Sequence, residues 1–358
     1  MIHARITKRF PNRPDSAGFA LDVEIKAAAG VTVIFGPSGA GKTLALECIA
    51  GFVRPDGGRI MLDDAILFDA ATRVCLAPQR RNCGYVFQNY ALFPHMTLRD
   101  NLLFASARLP RLERHRRVSE MLEQFRLTPE AGRRPHEVSG GQQQRCSIAR
   151  ALIGGPRLLL LDEPARGLDA ALRADLYAVI RQVRAEFELP VLLVTHDLDE
   201  CFELGDQMLV FRDGRLAQAG PPRKVMEQPA NVEIARLLGI DNVLPAEILM
   251  LDPGRNTSLL RLEYGELKGP YFPGRLIGDR VHLCVRAEQL RAVPAADGLP
   301  QRENHAPARL ARASERPGGV RLEFEGGLAA AADRDAYERG KDNKEWLVEF
   351  PPHVVRVI

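Results

Sequence analysis

VTVIFGPSGAGKT, residues 31–43, is a short apolar run that ends in a glycine-rich loop, a lysine and a threonine. The run is too short for a helix and too continuously apolar for a strand with one wet face. It reads as a strand buried on both sides, the habit of parallel sheets covered by helices. The loop Gly36-Pro37-Ser38-Gly39-Ala40-Gly41-Lys42-Thr43 fits the pattern G-x-x-x-x-G-K-[ST], with a helix-like segment after it. Glycines there let backbone N–H groups turn inward around phosphate oxygens. The helix start adds its positive end. The Lys42 ammonium can reach the terminal phosphates, and the Thr43 hydroxyl can ligate Mg²⁺.

Four more runs of the same kind follow: GYVF (84–87), LLLL (158–161), VLLV (191–194) and MLVF (208–211). Helix-like segments separate them, so the first part of the chain reads as an α/β domain. Helical patterns dominate over about 89–156, which marks an insertion. Gly220-Pro221-Pro222 and Pro229 punctuate the end of the domain, and NVEIARLLG reads as a short helix that stops at Gly239. SLLRLEY, DRVHLCV, GVRLEFEGG and WLVEF then alternate with turn signals as in an all-β module. The division expected is 1–240 and 241–358. RLEY (261–264) recurs as RLEF (321–324), and LCVRAEQLRAV (283–293) recurs loosely as LVEFPPHVVRVI (347–358), the pattern of two similar β-halves.

The run LLLLDEPARGLD (158–169) places two adjacent acids at the end of a buried strand. Asp162 stands where a carboxylate can hold the Mg²⁺ that Thr43 also touches. Glu163 points elsewhere, toward the terminal phosphate, where it can polarise a water. VSGGQQQR (138–145) begins a second helix with a cap serine and two glycines. Those glycines weaken a helix start unless Ser139 and the N–H groups of Gly140, Gly141 and Gln142 must approach an anion closely.

With these pieces in place the chain resembles the ABC-type ATPases. VSGGQ is similar to their L-S-G-G-Q signature. Gln88 in GYVFQ looks like the Q-loop glutamine, His196 in LLVTHD like the switch histidine, and Leu168-Asp169 like the end of the D-loop. Phe10 in ITKRF is the first candidate for an aromatic stacked on adenine, with Phe19 the alternative. The resemblance implies a RecA-type core with a helical subdomain, and an ATP sandwich in which the signature of one copy covers the ATP on the phosphate loop of another. One set of motifs per chain implies a homodimer or a pair with a related chain. Glu163 and His196 become the catalytic residues, and Gln88 joins Thr43 and Asp162 around Mg²⁺. Arg166 stands where the family has a small serine. Three roles are open to it: pairing with an acid across the dimer, weakening closure by repulsion, or facing solvent.

Residues 89–102, NYALFPHMTLRDNL, resemble the part of importer subunits that receives a membrane permease, and GPPRKVMEQPAN (220–231) resembles the end of importer cassettes. VRAEQL (285–290) is similar to the I-R-P-E-x-[LV] element of an OB-type (TOBE) regulatory domain, with Ala287 in place of proline. Residues 75–95 look most like the molybdate importer subunit. Asn304 matches the asparagine of an oxyanion element in that family's tail, but Gln301 stands where its serine belongs. Molybdate or tungstate ranks first as cargo, ahead of sulfate, iron(III) and polyamine, with a periplasmic or extracellular binding protein implied as donor. A soluble, non-transport ABC protein is the other class, but it usually carries paired cassettes, coiled-coil arms or basic patches.

Charge is balanced at a formal +3, and the densest basic run, RLERHRR (111–117), reads as a solvated helix face, so no nucleic-acid partner is expected. The six cysteines form no C-x-x-C, which argues against zinc. MIHARITKRF lacks the apolar core of a secretory signal, and the longest apolar runs fall far short of the roughly 18 residues of a membrane span. A peripheral protein on the cytoplasmic face of the membrane is the expectation.

Overall fold

The computed structural model describes residues 1–11, 18–295 and 304–358. They fall into two compact units, Met1–Val225 and Met226–Ile358.

The first unit is built on an eleven-stranded sheet. Its strands are β1 (Ile2–Phe10), β2 (Phe19–Ala27), β3 (Gly30–Phe35), β4 (Gly57–Leu62), β5 (Ala65–Asp69), β6 (Val74–Cys75), β7 (Cys83–Val86), β8 (Leu158–Asp162), β9 (Pro190–Thr195), β10 (Gln207–Arg212) and β11 (Arg215–Gly220). The order across the sheet is β6-β5-β4-β1-β2-β11-β10-β3-β9-β8-β7. The five apolar runs are the parallel block β10-β3-β9-β8-β7. All five residues of β8 and all six of β9 are buried. Burying each leucine of β8 stabilises the sheet by about 1.5–3 kcal/mol, which fixes the strand between β9 and β7 and leaves its acidic end at the carboxyl ends of the parallel strands. The other half, β6-β5-β4-β1-β2, is antiparallel. Its strands alternate: Leu21, Val23, Ile25 and Ala27 of β2 are buried while the residues between them are exposed.

The helices of this unit are α1 (Lys42–Ala50), α2 (Leu98–Ala105), α3 (Arg111–Gln124), α4 (Gly140–Leu152), α5 (Ala170–Phe187) and α6 (Leu198–Leu204), and the division between units falls within α7 (Pro222–Glu227). The expected helical insertion contains α2, α3 and α4. A Thr97–Asp100 capping box starts α2. The loop after Gln88 is clamped to α4: the Ser147 hydroxyl donates to the Tyr90 carbonyl at 2.9 Å, and Arg150 donates to the carbonyls of Ala91 at 2.8 Å and Tyr90 at 3.1 Å. Tyr90 and Ala91 sit at φ 61° and 48°, left-handed positions that cost non-glycine residues about 1–3 kcal/mol. These hydrogen bonds hold them there. Asn101, fully buried, accepts from the Phe93 N–H at 2.9 Å and donates to the Thr97 carbonyl at 3.0 Å.

The second unit contains α8 (Val232–Leu237), α9 (Arg334–Gly340) and strands β12 (Asn242–Asp252), β13 (Thr257–Leu262), β14 (Gly265–Gly269), β15 (Arg280–Val285), β16 (Arg291–Pro294), β17 (His305–Arg316), β18 (Gly319–Phe324), β19 (Ala329–Ala332), β20 (Glu345–Glu349) and β21 (Arg356–Val357). The unit begins before the expected 241 because α8 belongs with it: Ala235 packs with Ile240 and Cys284. One sheet runs β14-β13-β12-β15-β21, and a closed barrel runs β16-β19-β18-β17-β20. The two halves repeat the same four-strand order, and each receives its fifth strand from the other. Buried asparagines tie the halves in matching fashion. Asn242 accepts from the Ala329 N–H at 2.7 Å and donates to its carbonyl at 2.8 Å. Asn304 does the same to Lys268, at 2.7 and 2.8 Å, and also donates to the Phe350 carbonyl at 3.0 Å. Its amide is therefore committed to backbone, which leaves it no free group for an oxyanion. Gln301 lies outside the described residues. Ala287 of the VRAEQL element donates its N–H to Asp241 at 3.1 Å, a bond that proline cannot make.

Candidate active site

The register of the parallel block sets the site. Phe35 of β3 lies beside Thr195 of β9, and Val194 lies beside Asp162 of β8. The phosphate loop, His196 and the Asp162–Glu163 pair therefore leave neighbouring strands at their carboxyl ends, where open α/β sheets place ligands.

The loop follows the sequence reading closely. α1 starts at Lys42, with Gly41 as its N-cap at φ 92°. A Cβ on Gly36 would stand 2.3 Å from the Phe211 carbonyl oxygen, so only glycine lets the loop leave β3 this close to β10. Lys42 is 5% exposed and donates to the carbonyls of Gly36 at 2.8 Å and Pro37 at 2.9 Å, folded back along the inside of its own loop. Burial lowers its pKa against the opposing pull of Glu163 and Asp162. A buried ammonium whose hydrogen bonds go to neutral carbonyls gains strongly from an anionic phosphate.

Thr43 Oγ1 donates to Asp162 Oδ1 at 2.9 Å. Two hard oxygens in contact are a donor set suited to Mg²⁺. Burial raises the pKa of Asp162, opposed by its hydrogen bonds from Thr43 and Tyr85. Glu163 takes a left-handed backbone at φ 45°, fastened by its N–H to the Val194 carbonyl at 3.0 Å. That strain turns its carboxylate away from Asp162's role and toward His196, whose Nδ1 is 3.4 Å from Glu163 Oε1. Glu163, His196 and Arg166 line one cleft of about 90 Å³.

Ser139 is the N-cap of α4: its hydroxyl accepts from the Gln142 N–H at 3.3 Å, and Gln142 Oε1 accepts from the Ser139 N–H at 2.9 Å. A side chain on Gly140 would meet nothing within 4 Å, so this helix start is open to an approaching group, while a Cβ on Gly141 would come within 2.8 Å of the Leu172 side chain. Phe10 is 45% exposed at the end of β1 and lies in register with Phe19. The Phe19 ring rests near Gly41. Gln88 is not in the Thr43–Asp162 pair; with its amide turned so that the oxygen faces Arg166, it accepts from that guanidinium at 3.0 and 3.2 Å, a contact the sequence did not reveal.

Two further residues went unread in the sequence. Tyr85 donates its hydroxyl to Asp162 Oδ2 at 3.1 Å, and its ring packs with Phe52 and Phe87. Glu200 is buried on α6, and desolvation pushes its pKa up to about 7. GYVFQ contained the first signal, a polar atom in an otherwise apolar strand that needs a buried partner.

A phosphate loop and strand-end acids at the carboxyl ends of one parallel block, with a second open helix start in the same unit, define the phosphate-loop nucleotide hydrolases as a class. The family described as ABC transporter matches residues 21–166. Molybdenum import ATP-binding protein ModC of Rhodospirillum rubrum is 39% identical over 248 residues, which are 69% of this chain and 67% of that protein. Spermidine/putrescine import ATP-binding protein PotA of Nitratidesulfovibrio vulgaris is 38% identical, over 78% of this chain and 74% of that protein. Among solved structures, a dimeric bacterial ABC transporter cassette superposes with a TM-score of 0.54 at 26% identity, covering 62% of this chain and 99% of that one. The chain belongs to the ABC transporter ATP-binding family.

Proposed function

We propose that the chain is the ATP-hydrolysing subunit of an importer for a small ion, with molybdate or tungstate as cargo. The observation that carries the hydrolytic reading is the convergence of the Lys42 loop, the Thr43–Asp162 contact and the Glu163–His196 pair on three adjacent strand ends. Loop N–H groups from Gly36 to Thr43 and the Lys42 ammonium hold the phosphates of ATP. Thr43, Asp162 and Gln88 would hold Mg²⁺, which would supply charge against the developing negative oxygens. Glu163 takes the proton of a water whose oxygen bonds to the terminal phosphorus as the bond to the bridging oxygen breaks. His196 steadies that water. Phe10 or Phe19 stacks on adenine.

Ser139, Gly140, Gly141 and Gln142 of a second copy close the site, and the dimeric cassettes among the structural relatives support this pairing. ATP then shifts the pair toward a closed state and hydrolysis releases it. Permease subunits receive this motion at 89–102. A groove of about 610 Å³ lined by Phe93, Phe104 and Arg150 borders that region, and Phe104 is 58% exposed. No described helix is long and apolar enough to cross a membrane, which fits a peripheral subunit on the cytoplasmic face. The second unit takes the part of a TOBE-type regulatory domain, and an external binding protein delivers the cargo.

The molybdenum-import relatives and the likeness of residues 75–95 support the oxyanion. Polyamine is the second reading, favoured by relatives of the PotA type that match more of the chain. Reconstitution with candidate permeases and binding proteins of the molybdate and polyamine types decides between them. Molybdate should stimulate ATP hydrolysis and spermidine should not; stimulation by spermidine alone overturns the oxyanion reading.

A further inference from the structure

Arg166 faces neither open solvent alone nor a distant acid. Its Nη1 donates to Glu163 Oε2 at 3.1 Å across the turn Glu163–Arg166, itself closed by the Arg166 N–H to the Glu163 carbonyl at 3.2 Å. The Gln88 amide satisfies its neighbours when its oxygen faces the same guanidinium: Oε1 then accepts from Nη1 at 3.0 Å and Nε at 3.2 Å. The buried amide of Gln144, on α4, donates to the Pro164 carbonyl inside this turn. One planar fork therefore ties together two groups that arrive from different strands, β7 and β8, with the turn anchored from the helix that Ser139 caps.

We propose that Arg166 is a latch that holds the nucleotide-free site idle. The inference rests on the hydrolytic reading above and adds a restraint to it. Both oxygens that Arg166 engages are needed elsewhere during turnover. Glu163 must offer a carboxylate oxygen to water, and its Oε2 is already taken by the Arg166 Nη1 at 3.1 Å. Gln88 Oε1 is the atom that would face Mg²⁺. A guanidinium and a divalent cation repel at that range, so metal-bound nucleotide and the latch compete for the same oxygen. Loading the site then releases Arg166, and Glu163 becomes free in the same event. A serine-sized side chain at 166 cannot span to Gln88 and leaves the site permanently unlatched. Arg166 is a positioning residue in this account, since it acts through Glu163 and Gln88.

The test is steady-state phosphate release by the full chain, with ATP and Mg²⁺ varied separately, for wild type and Arg166→Ser. Arg166 is 57% exposed, so its pair with Glu163 is screened and the effect is modest. The turnover number should rise about two- to fivefold, and the Mg²⁺ concentration for half-maximal rate should fall by a similar factor, as should the Kd of a fluorescent, non-hydrolysable ATP analogue measured with Mg²⁺ present. Arg166→Lys, which keeps the charge but loses the fork, should lower the Mg²⁺ requirement while leaving turnover near wild type, and it serves the test if the serine variant folds poorly. A fall in turnover for Arg166→Ser, or no change in either quantity, overturns the latch. Wild-type turnover abolished by Glu163→Gln is the control: without it the hydrolytic reading fails, whatever Arg166 does.

Discussion

Replacing Glu163 by glutamine separates chemistry from folding. The amide keeps the size and the strained φ of 45°, so the backbone cost of about 1–3 kcal/mol stays the same in both proteins. What folding loses is the ion pair to Arg166, in which the arginine is 57% exposed. Exposed pairs are worth about 0.2–1 kcal/mol. In a unit of this size that shifts Tm by at most about 4 °C. What chemistry loses is the base: no other carboxylate approaches His196 Nδ1 as Glu163 does among the described residues. General-base catalysis contributes on the order of 10²–10⁴ in rate. Phosphate release should therefore drop at least a hundredfold while thermal melting barely moves and ATP binding, followed with a fluorescent analogue, is retained. A variant with turnover within tenfold of wild type would refute the assignment of Glu163, and one that melts 10 °C lower would show that the loss is structural.

Gly36→Ala puts a methyl 2.3 Å from the Phe211 carbonyl, and backbone cannot yield as a side chain can. Overpacking of this kind costs about 1–3 kcal/mol, so urea midpoints should fall and nucleotide affinity with them. Glu200 gives a pH signature. Its folded pKa, about 7, lies above the ordinary glutamate value of 4.5, so the folded state binds the extra proton in that window, and its contribution to stability is lost as pH rises from 4.5 through 7. The full effect is about 3 kcal/mol. Glu200→Gln should thus gain in stability relative to wild type between pH 5 and pH 8 by urea titration; parallel curves would contradict the burial argument.

The parallel half of the sheet was legible because strands buried on both faces write themselves as unbroken apolar runs, and VTVIF, LLLL and VLLV need no context. The antiparallel half was not, since FALDVEIKA and IHARITKRF carry their signal in alternation and half their residues face water. The phosphate loop was legible through chemistry: its glycines and Lys42 have few other reasons to occur at that spacing. The Thr43–Asp162 contact followed from it. Gln88 was assigned to the metal by resemblance, and that the Arg166 guanidinium lies within hydrogen-bonding reach of its amide is a fact no spacing encodes. The β-halves could be glimpsed in RLEY and RLEF, but the exchange of β16 and β21 between sheets depends on long-range pairing. Asn304 read as a ligand candidate because sequence cannot show that Lys268 and Phe350 already occupy its amide.

The central claim is that ATP is held between two copies of this chain. Light scattering of the Glu163→Gln protein after chromatography reads it directly. With ATP present the account predicts a doubling of the 39.7 kDa chain mass, reversed when Lys42→Ala is added. A mass that stays at one chain with saturating ATP contradicts it.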